Sequence, residues 1–388
     1  MAWLEPTDRR LIGLTLAVKL AVLVVGALAY MTFGSHSINE PMDLLRIWNH
    51  WDAPHYLDLV VFGYRATDAG NLVGPNGYRS VYPGDLPLYI VFYPLFPWLA
   101  TIVNVLLNDP LASAFVVTTL ASIFVAPLLY RLVRHDEEPA VAMRAAWFLL
   151  IFPTAYFLHI GYTEALFMAL VLGSFLAART ERWWLAGLLG GLAALTRVNG
   201  LVLIPALAAE ALTQWLHRPP EERRLRVEWL AIGLVGVGFG VYLALNQAIY
   251  GDALTFLRIQ HEHWYKSLDW PWNGIGGVVG WLSSSHPDNV LMQGWMELTF
   301  IAIGLVATLH AVLRFRLSWF AWMAGNWLLF VSTSFVMSVP RYALTLFPLY
   351  VSIALLSRQR VALVIISAVS IAALIYFTGR FANGLWAF

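Results

Sequence analysis

Residues 11–31, LIGLTLAVKLAVLVVGALAYM, and 229–250, WLAIGLVGVGFGVYLALNQAIY, are apolar over the roughly 20 residues that a helix needs to cross a hydrocarbon core. Segments of this kind recur along the chain, and they limit its fold more than any other feature. Within lipid every backbone N–H and C=O must be satisfied inside the protein, which leaves only helices and closed barrels. The period-2 alternation of a barrel is weak here. The expected fold class is therefore an all-α polytopic membrane protein, and a composition that is 60% hydrophobic and 12% charged agrees with it. The first run is too long for a signal peptide and no small-residue cleavage site follows, so it reads as a retained span. With no cysteine there is neither a disulfide framework nor a thiolate metal site, and a net charge of +1 gives no reason to expect nucleic acid as a partner.

Lys and Arg bias sets orientation. Of the 24 basic residues, 15 lie in short hydrophilic connections, from Arg9 and Arg10 through Arg131, Arg179, Arg218 and Arg226 to Arg358 and Arg360. One topology puts all of them inside. It has a cytoplasmic N-terminus, an external C-terminus and about nine full spans, at 11–31, 112–130, 142–160, 162–178, 229–250, 290–313, 317–337, 342–357 and 361–378. Segment 86–107, with Pro87, Pro94 and Pro97, reads as interfacial or re-entrant on the outer side. Segment 185–216 is too short for two crossings and reads as two half-spanning helices meeting near TRVNG, a kind of break tolerated only where it lines a cavity or is packed in protein. The outer face then receives a large first loop from 32 to about 110, a second from 251 to 289, and the tips HIGYTE and SVPRY. No repeat or soluble insert is visible, so residues 1–388 are expected to form one domain.

The polar residues worth weighing gather on that face. Asp52, between Trp48, Trp51 and Tyr56, is a candidate general base if its charge is partly desolvated. It also precedes Ala53 and Pro54, where spacing alone favours a helix N-cap. Arg197 is flanked by apolar runs and calls for an anionic partner, either a phosphate, with Asn199 as a neutral donor, or a structural ion pair with Glu164. Glu164, preceded by His159, suits the first turn of a helix. Arg341 opens a span behind Pro340, where a positive charge opposes the helix dipole and an anion ligand is the more natural role. His261, His263 and Trp264 sit in the second outer loop. A His-x-His pair binds metal only on a strand or loop, so hydrogen bonding or acceptor contact ranks ahead of metal binding. Trp183, Trp184, Trp281 and Trp295 read as an interfacial belt.

The stretches WNHWDAPHYLDLVVFGY, FYPLFPWLA, the run from FPTAYFLHIGYTEALF to LTRVNGLVLIPALAAE, and SVPRYALTLFPLY together resemble bacterial members of the GPI mannosyltransferase II (PIG-V-like) family, within the GT-C superfamily. Family members often carry Arg where this chain has His50. The resemblance implies a GT-C-like bundle in the bacterial inner membrane, with its active site on the outer face. It implies a polyprenyl-phosphate sugar donor, mannose above all, and a glycan, glycolipid or protein acceptor, with inversion and no cofactor or obligatory metal. Residue by residue, it makes Asp52 the catalytic base and Arg197 and Arg341 the donor-phosphate ligands, with Asn199 beside them. His55, Tyr56, His159, Tyr162, Glu164 and Tyr342, with His261, His263 and Trp264 of the second loop, would shape the substrate site. A reading from another class is a transporter or flippase of a lipid-linked sugar, which would call for inverted internal symmetry; none is visible in the sequence.

Overall fold

The computed structural model describes residues 5–68, 70 and 72–388. Helix α1 (Pro6–Thr32) starts at a capping box in which Glu5 N–H donates to the Asp8 carboxylate at 2.8 Å. Helix α2 (Ala53–Phe62) begins the first long loop, and α3 (Leu95–Leu107) ends it. Helix α4 (Pro110–Val133) is capped by Asp109, which accepts from Ala112 N–H at 2.8 Å. Then follow α5 (Pro139–Leu150), α6 (Glu164–Arg179), α7 (Trp183–Ala194), α8 (Leu203–His217), α9 (Gly233–Tyr250), α10 (Thr255–Trp264) and α11 (Pro271–Gly280). The chain closes with α12 (Glu297–Arg314), α13 (Leu317–Val331), the short α14 (Val339–Ala343), α15 (Phe347–Leu356) and α16 (Arg360–Ala382). Among the described residues the one β-type pairing is an isolated bridge between Leu268 and Thr333.

Among the described residues five helical stretches are long and apolar enough to cross a membrane: Pro6–Thr32, Pro110–Val133, Val227–Tyr250, Pro287–Arg314 and Arg360–Ala382. Their outward faces are apolar, as at Leu16, Leu20, Val24 and Leu28 of α1 and Val361, Val364, Ile365 and Val369 of α16. Water would penalise such a surface and lipid does not, so the chain is an integral membrane protein. Helix α6 lies at the centre, packed between α4 and α7.

The expected break at TRVNG is present. Helices α7 and α8 are 12 and 15 residues long, and Arg197 between them is fully extended. Small residues hold this half-helix pair in place: a Cβ on Gly238 of α9 would lie 2.0 Å from the Gly191 carbonyl oxygen of α7. At the break, a Cβ on Gly200 would lie 2.5 Å from Ala194 N, so only glycine lets the chain fold back there.

Three of the expected spans are shorter than hydropathy alone implied. The helix expected at 142–160 ends at Leu150, ahead of Pro153, whose ring disfavours helical geometry at Phe152. The one expected at 317–337 ends at Val331, because Ser332 and Ser334 bond to the chain around Ser267 and Asp269 instead. The one expected at 342–357 is split into α14 and α15. Segment 86–107 is a 3₁₀ stretch, Pro83–Val91, followed by α3. At 13 residues α3 is about 20 Å long, short of a crossing. Trp183 is not part of an interfacial belt: it is buried in the first turn of α7 against Trp229, whereas Trp184 and Trp295 are exposed.

Candidate active site

The N-terminal end of α6 meets α2, α14 and the break between α7 and α8, and there four charged side chains form one chain. Arg341 donates through Nε to Glu164 Oε1 and through Nη1 to Asp52 Oδ2, both at 2.5 Å. Arg197 Nη1 donates to the same Glu164 oxygen at 2.5 Å and to Thr163 Oγ1 at 2.9 Å. Glu164 is fully buried and the Asp52 side chain is 33% exposed, so the chain runs from the interior to an opening. A cavity of about 320 Å³ lies at that opening, walled by Asp52, Tyr56, Arg197, Asn199, Arg341 and Tyr342, and by apolar side chains including Phe92, Leu257, Leu268 and Phe330.

Each member is fixed by its neighbours. The Arg341 guanidinium lies over the Phe157 and Tyr162 rings, 4.7 and 4.8 Å from their centres. Its helix, α14, is anchored by Glu297, a buried acid of α12 that accepts from Ser338 N–H at 2.7 Å and Val339 N–H at 2.8 Å. Asp52 follows Trp51, whose φ of 56° is unusual for a bulky residue and which rests edge-on against Trp386. Tyr162 Oη donates to the His50 carbonyl at 2.6 Å and ties this turn to the start of α6.

Asp52 occupies the N-cap position that spacing favoured, but its side chain makes no capping bond; the carboxylate is turned to Arg341 instead. Glu164 likewise serves two arginines and not its own helix terminus. Burial would raise the Asp52 carboxyl, but the Arg341 guanidinium, aided by His55 and Arg197, outweighs it and holds the group below its ordinary range. His55 moves down as well: burial lowers it more than the Asp52 and Asp85 carboxylates raise it, so it is neutral near pH 7.

The structure does not bring every expected residue to the cavity wall. His55 packs among Tyr89, Phe92 and Tyr82. His159 is fully buried, and Tyr162 lies beneath Arg341. Asn199 reaches the wall, but its amide donates to Asn326 at 3.0 Å. His261 and His263 are exposed on α10, where alternate residues point apart, and Trp264 packs on Phe92. Among the described residues no group of three or more His, Asp or Glu is placed to hold a metal ion. Two residues were missed from sequence. Glu297 could have been noticed as a lone acid in GWMELTFIAIGLV, while Lys266, on the cavity wall, lies in a polar loop that gave no signal.

Parts of the chain are similar in sequence to known proteins. Residues 87–242 match the family model described as dolichyl-phosphate-mannose-protein mannosyltransferase; that range holds Glu164 and Arg197 but neither Asp52 nor Arg341. Among curated relatives, the GPI alpha-1,6-mannosyltransferase 2 of Rattus norvegicus is 27% identical over 53% of this chain and 43% of its own length. That of Mus musculus is 28% identical over 52% and 42%. The chain thus spans less than half the length of the curated relatives it matches. Among solved structures, the apo oligosaccharyltransferase of Archaeoglobus fulgidus aligns with 95% of this chain and 56% of its own at 12% identity, with a TM-score of 0.45. Over the parts that the family model and the relatives cover, the chain is thus similar to mannosyltransferases of these two descriptions.

Proposed function

We propose that the chain is a membrane glycosyltransferase that moves a sugar, mannose by the names of its relatives, from a polyprenyl-phosphate carrier to an acceptor hydroxyl. The observation that carries this reading is the Asp52–Arg341–Glu164–Arg197 chain at the wall of a cavity whose other lining is largely apolar. Arg341 keeps Nη2 free of protein partners, and Arg197 keeps Nε and Nη2 free, among the described residues. Those N–H groups suit a phosphate oxygen, and the apolar walls suit a prenyl chain.

In the reaction the acceptor oxygen attacks the anomeric carbon as its proton passes to the Asp52 carboxylate. The bond from that carbon to the phosphate oxygen breaks, and its electron pair leaves with the lipid phosphate. A single displacement of this kind inverts the anomeric centre. The leaving group needs charge stabilisation more than protonation, which the arginines supply. Asp52 paired with Arg341 is a weak base in the resting site. A phosphate beside Arg341 shares that positive charge and restores the basicity of Asp52, so donor binding prepares the base.

The orientation we propose has the N-terminus in the cytoplasm and the cavity on the outer side. Because the chain has no native cysteine, single cysteines can report on it. An impermeant thiol reagent applied from outside should label Asp85→Cys and not Arg224→Cys; the reverse would invert the topology. For the activity itself, purified protein given polyprenyl-phosphate mannose and an acceptor should form a mannoside and release the lipid phosphate. Movement of the lipid across the bilayer with no glycoside formed would contradict the reading.

A further inference from the structure

The four charges of the site cancel, Asp52 and Glu164 against Arg197 and Arg341. One more charged side chain lines the same cavity, Lys266. Its Nζ lies 3.2 Å from Tyr342 Oη, to which it donates, and 5.4 Å from the centre of that ring. Among the described residues it forms no ion pair, its side-chain bond being the one to Tyr342. The buried acid behind α14, Glu297, has its two oxygens committed to Ser338 and Val339 N–H groups.

Lys266 is held in place by the backbone. Helix α10 ends at Tyr265 in the left-handed region, φ 56°, and Lys266 N–H donates back to the Gln260 carbonyl at 3.0 Å. Immediately afterwards Ser267 N–H donates to Ser334 Oγ at 3.0 Å, Ser334 N–H to the Ser267 carbonyl at 2.9 Å, and Asp269 N–H to the Ser332 carbonyl at 3.0 Å. This clasp ties the lysine to the strand-like segment between α13 and α14, over the same cavity that Arg341 faces. A flexible surface lysine would need none of it.

We infer that Lys266 is the third cation of the donor site and supplies the one positive charge that Asp52 and Glu164 leave uncompensated. The inference rests on the glycosyl-donor reading above and narrows it. A sugar linked through a single phosphate is a phosphodiester with one negative charge, which one surplus cation matches; a diphosphate-linked carrier brings two. Charge on the phosphate also grows during the reaction. When the sugar–oxygen bond breaks and the acceptor proton passes to Asp52, the phosphodiester monoanion becomes a monoester approaching a dianion, while Asp52 turns neutral. Lys266 therefore interacts more strongly with the leaving group than with the intact donor, and its contribution falls on kcat as well as on donor affinity.

The test uses the full chain in nanodiscs at low salt, with polyprenyl-phosphate mannose and polyprenyl-diphosphate mannose as probes. Lys266→Gln should bind the monophosphate donor at least about 10-fold more weakly and lower kcat to a similar degree. Lys266→Arg should stay within about threefold of the unaltered protein, because charge and not shape is the requirement. Unaltered protein should prefer the monophosphate donor, and all three should share one melting temperature. Unchanged affinity and kcat in Lys266→Gln would overturn the inference, as would a Lys266→Arg variant as impaired as the glutamine one, or a preference for the diphosphate donor. Failure of unaltered, folded protein to bind either lipid would overturn the donor reading itself.

Discussion

The two ends of α6 each carry a cluster of acids and arginines about 22 Å apart along its axis. Near Arg179, Glu210 is fully buried and both of its oxygens are taken: Arg316 donates at 3.1 and 2.8 Å, Ser318 at 2.7 Å and Gln214 at 3.1 Å. Arg179 closes the group by pairing with Asp136 at 2.7 Å. At the other end, Glu164 takes both arginines on one oxygen and its second oxygen has no partner among the described residues, while Arg197 and Arg341, each with N–H groups to spare, line a cavity. The residue types are the same. What separates them is the acid at the centre. Both Glu210 oxygens are taken, although Arg179 Nη1 and Gln214 Oε1 beside it have no hydrogen-bond partner among the described residues, whereas Glu164 leaves one oxygen unpaired next to a cavity lined by both of its arginines.

The strongest way to break this contrast is to cut one acid from each cluster. Asp52→Asn should lower turnover by about 10² to 10⁴-fold with a smaller loss of stability than removal of the acid of the other cluster, because Arg341 keeps Glu164. Glu210→Ala, which takes from Arg316 both of its hydrogen bonds to the buried acid, should cost about 3 to 5 kcal/mol of stability, with turnover per folded molecule nearly unchanged. A swap of those two phenotypes would invert the assignment of the clusters. A smaller effect is expected from Arg197→Gln, since Glu164 keeps Arg341 as a partner. Donor affinity should fall by roughly 10-fold or more while the melting point moves little. Normal affinity combined with a large loss of stability would make Arg197 a structural partner of Glu164 and nothing more.

The smallest effect concerns pH. His55 is lowered in the folded protein, so between its folded value and about 6.5 the unfolded chain binds more protons, and stability rises with pH through that window. Above about 6.5 its contribution is complete and flat. Asp52, also lowered, contributes stability above its unfolded value near 3.9 that is lost as pH falls through its folded value. Melting curves from pH 5 to 7 should therefore show a slope that shrinks in His55→Phe; an identical slope in both proteins would remove His55 from this role.

Much of the site was legible because charge is expensive in apolar surroundings. Arg197 and Arg341 stood out against long hydrocarbon runs, and the TRVNG break followed from the length of 185–216. The direction of each side chain was not legible. The Asp52 side chain had a local cap and a distant arginine to choose between, and the latter lies 289 residues away in sequence. Lys266 was hidden for the opposite reason: a lysine in a polar loop is unremarkable until the Leu268–Thr333 bridge folds it over a cavity. Hydropathy also overran the helices at Leu150 and Val331, since it registers apolar character and not the proline or the serine pairing that ends the helix.

The most direct measurement is a structure of the protein with a non-transferable polyprenyl-phosphate mannose analogue bound. This account places the phosphate within hydrogen-bond reach of Arg197 and Arg341, with the anomeric carbon toward Asp52 and the Glu210 cluster untouched. A phosphate seated elsewhere, with the Asp52–Arg341 pair intact beneath an empty cavity, would contradict it.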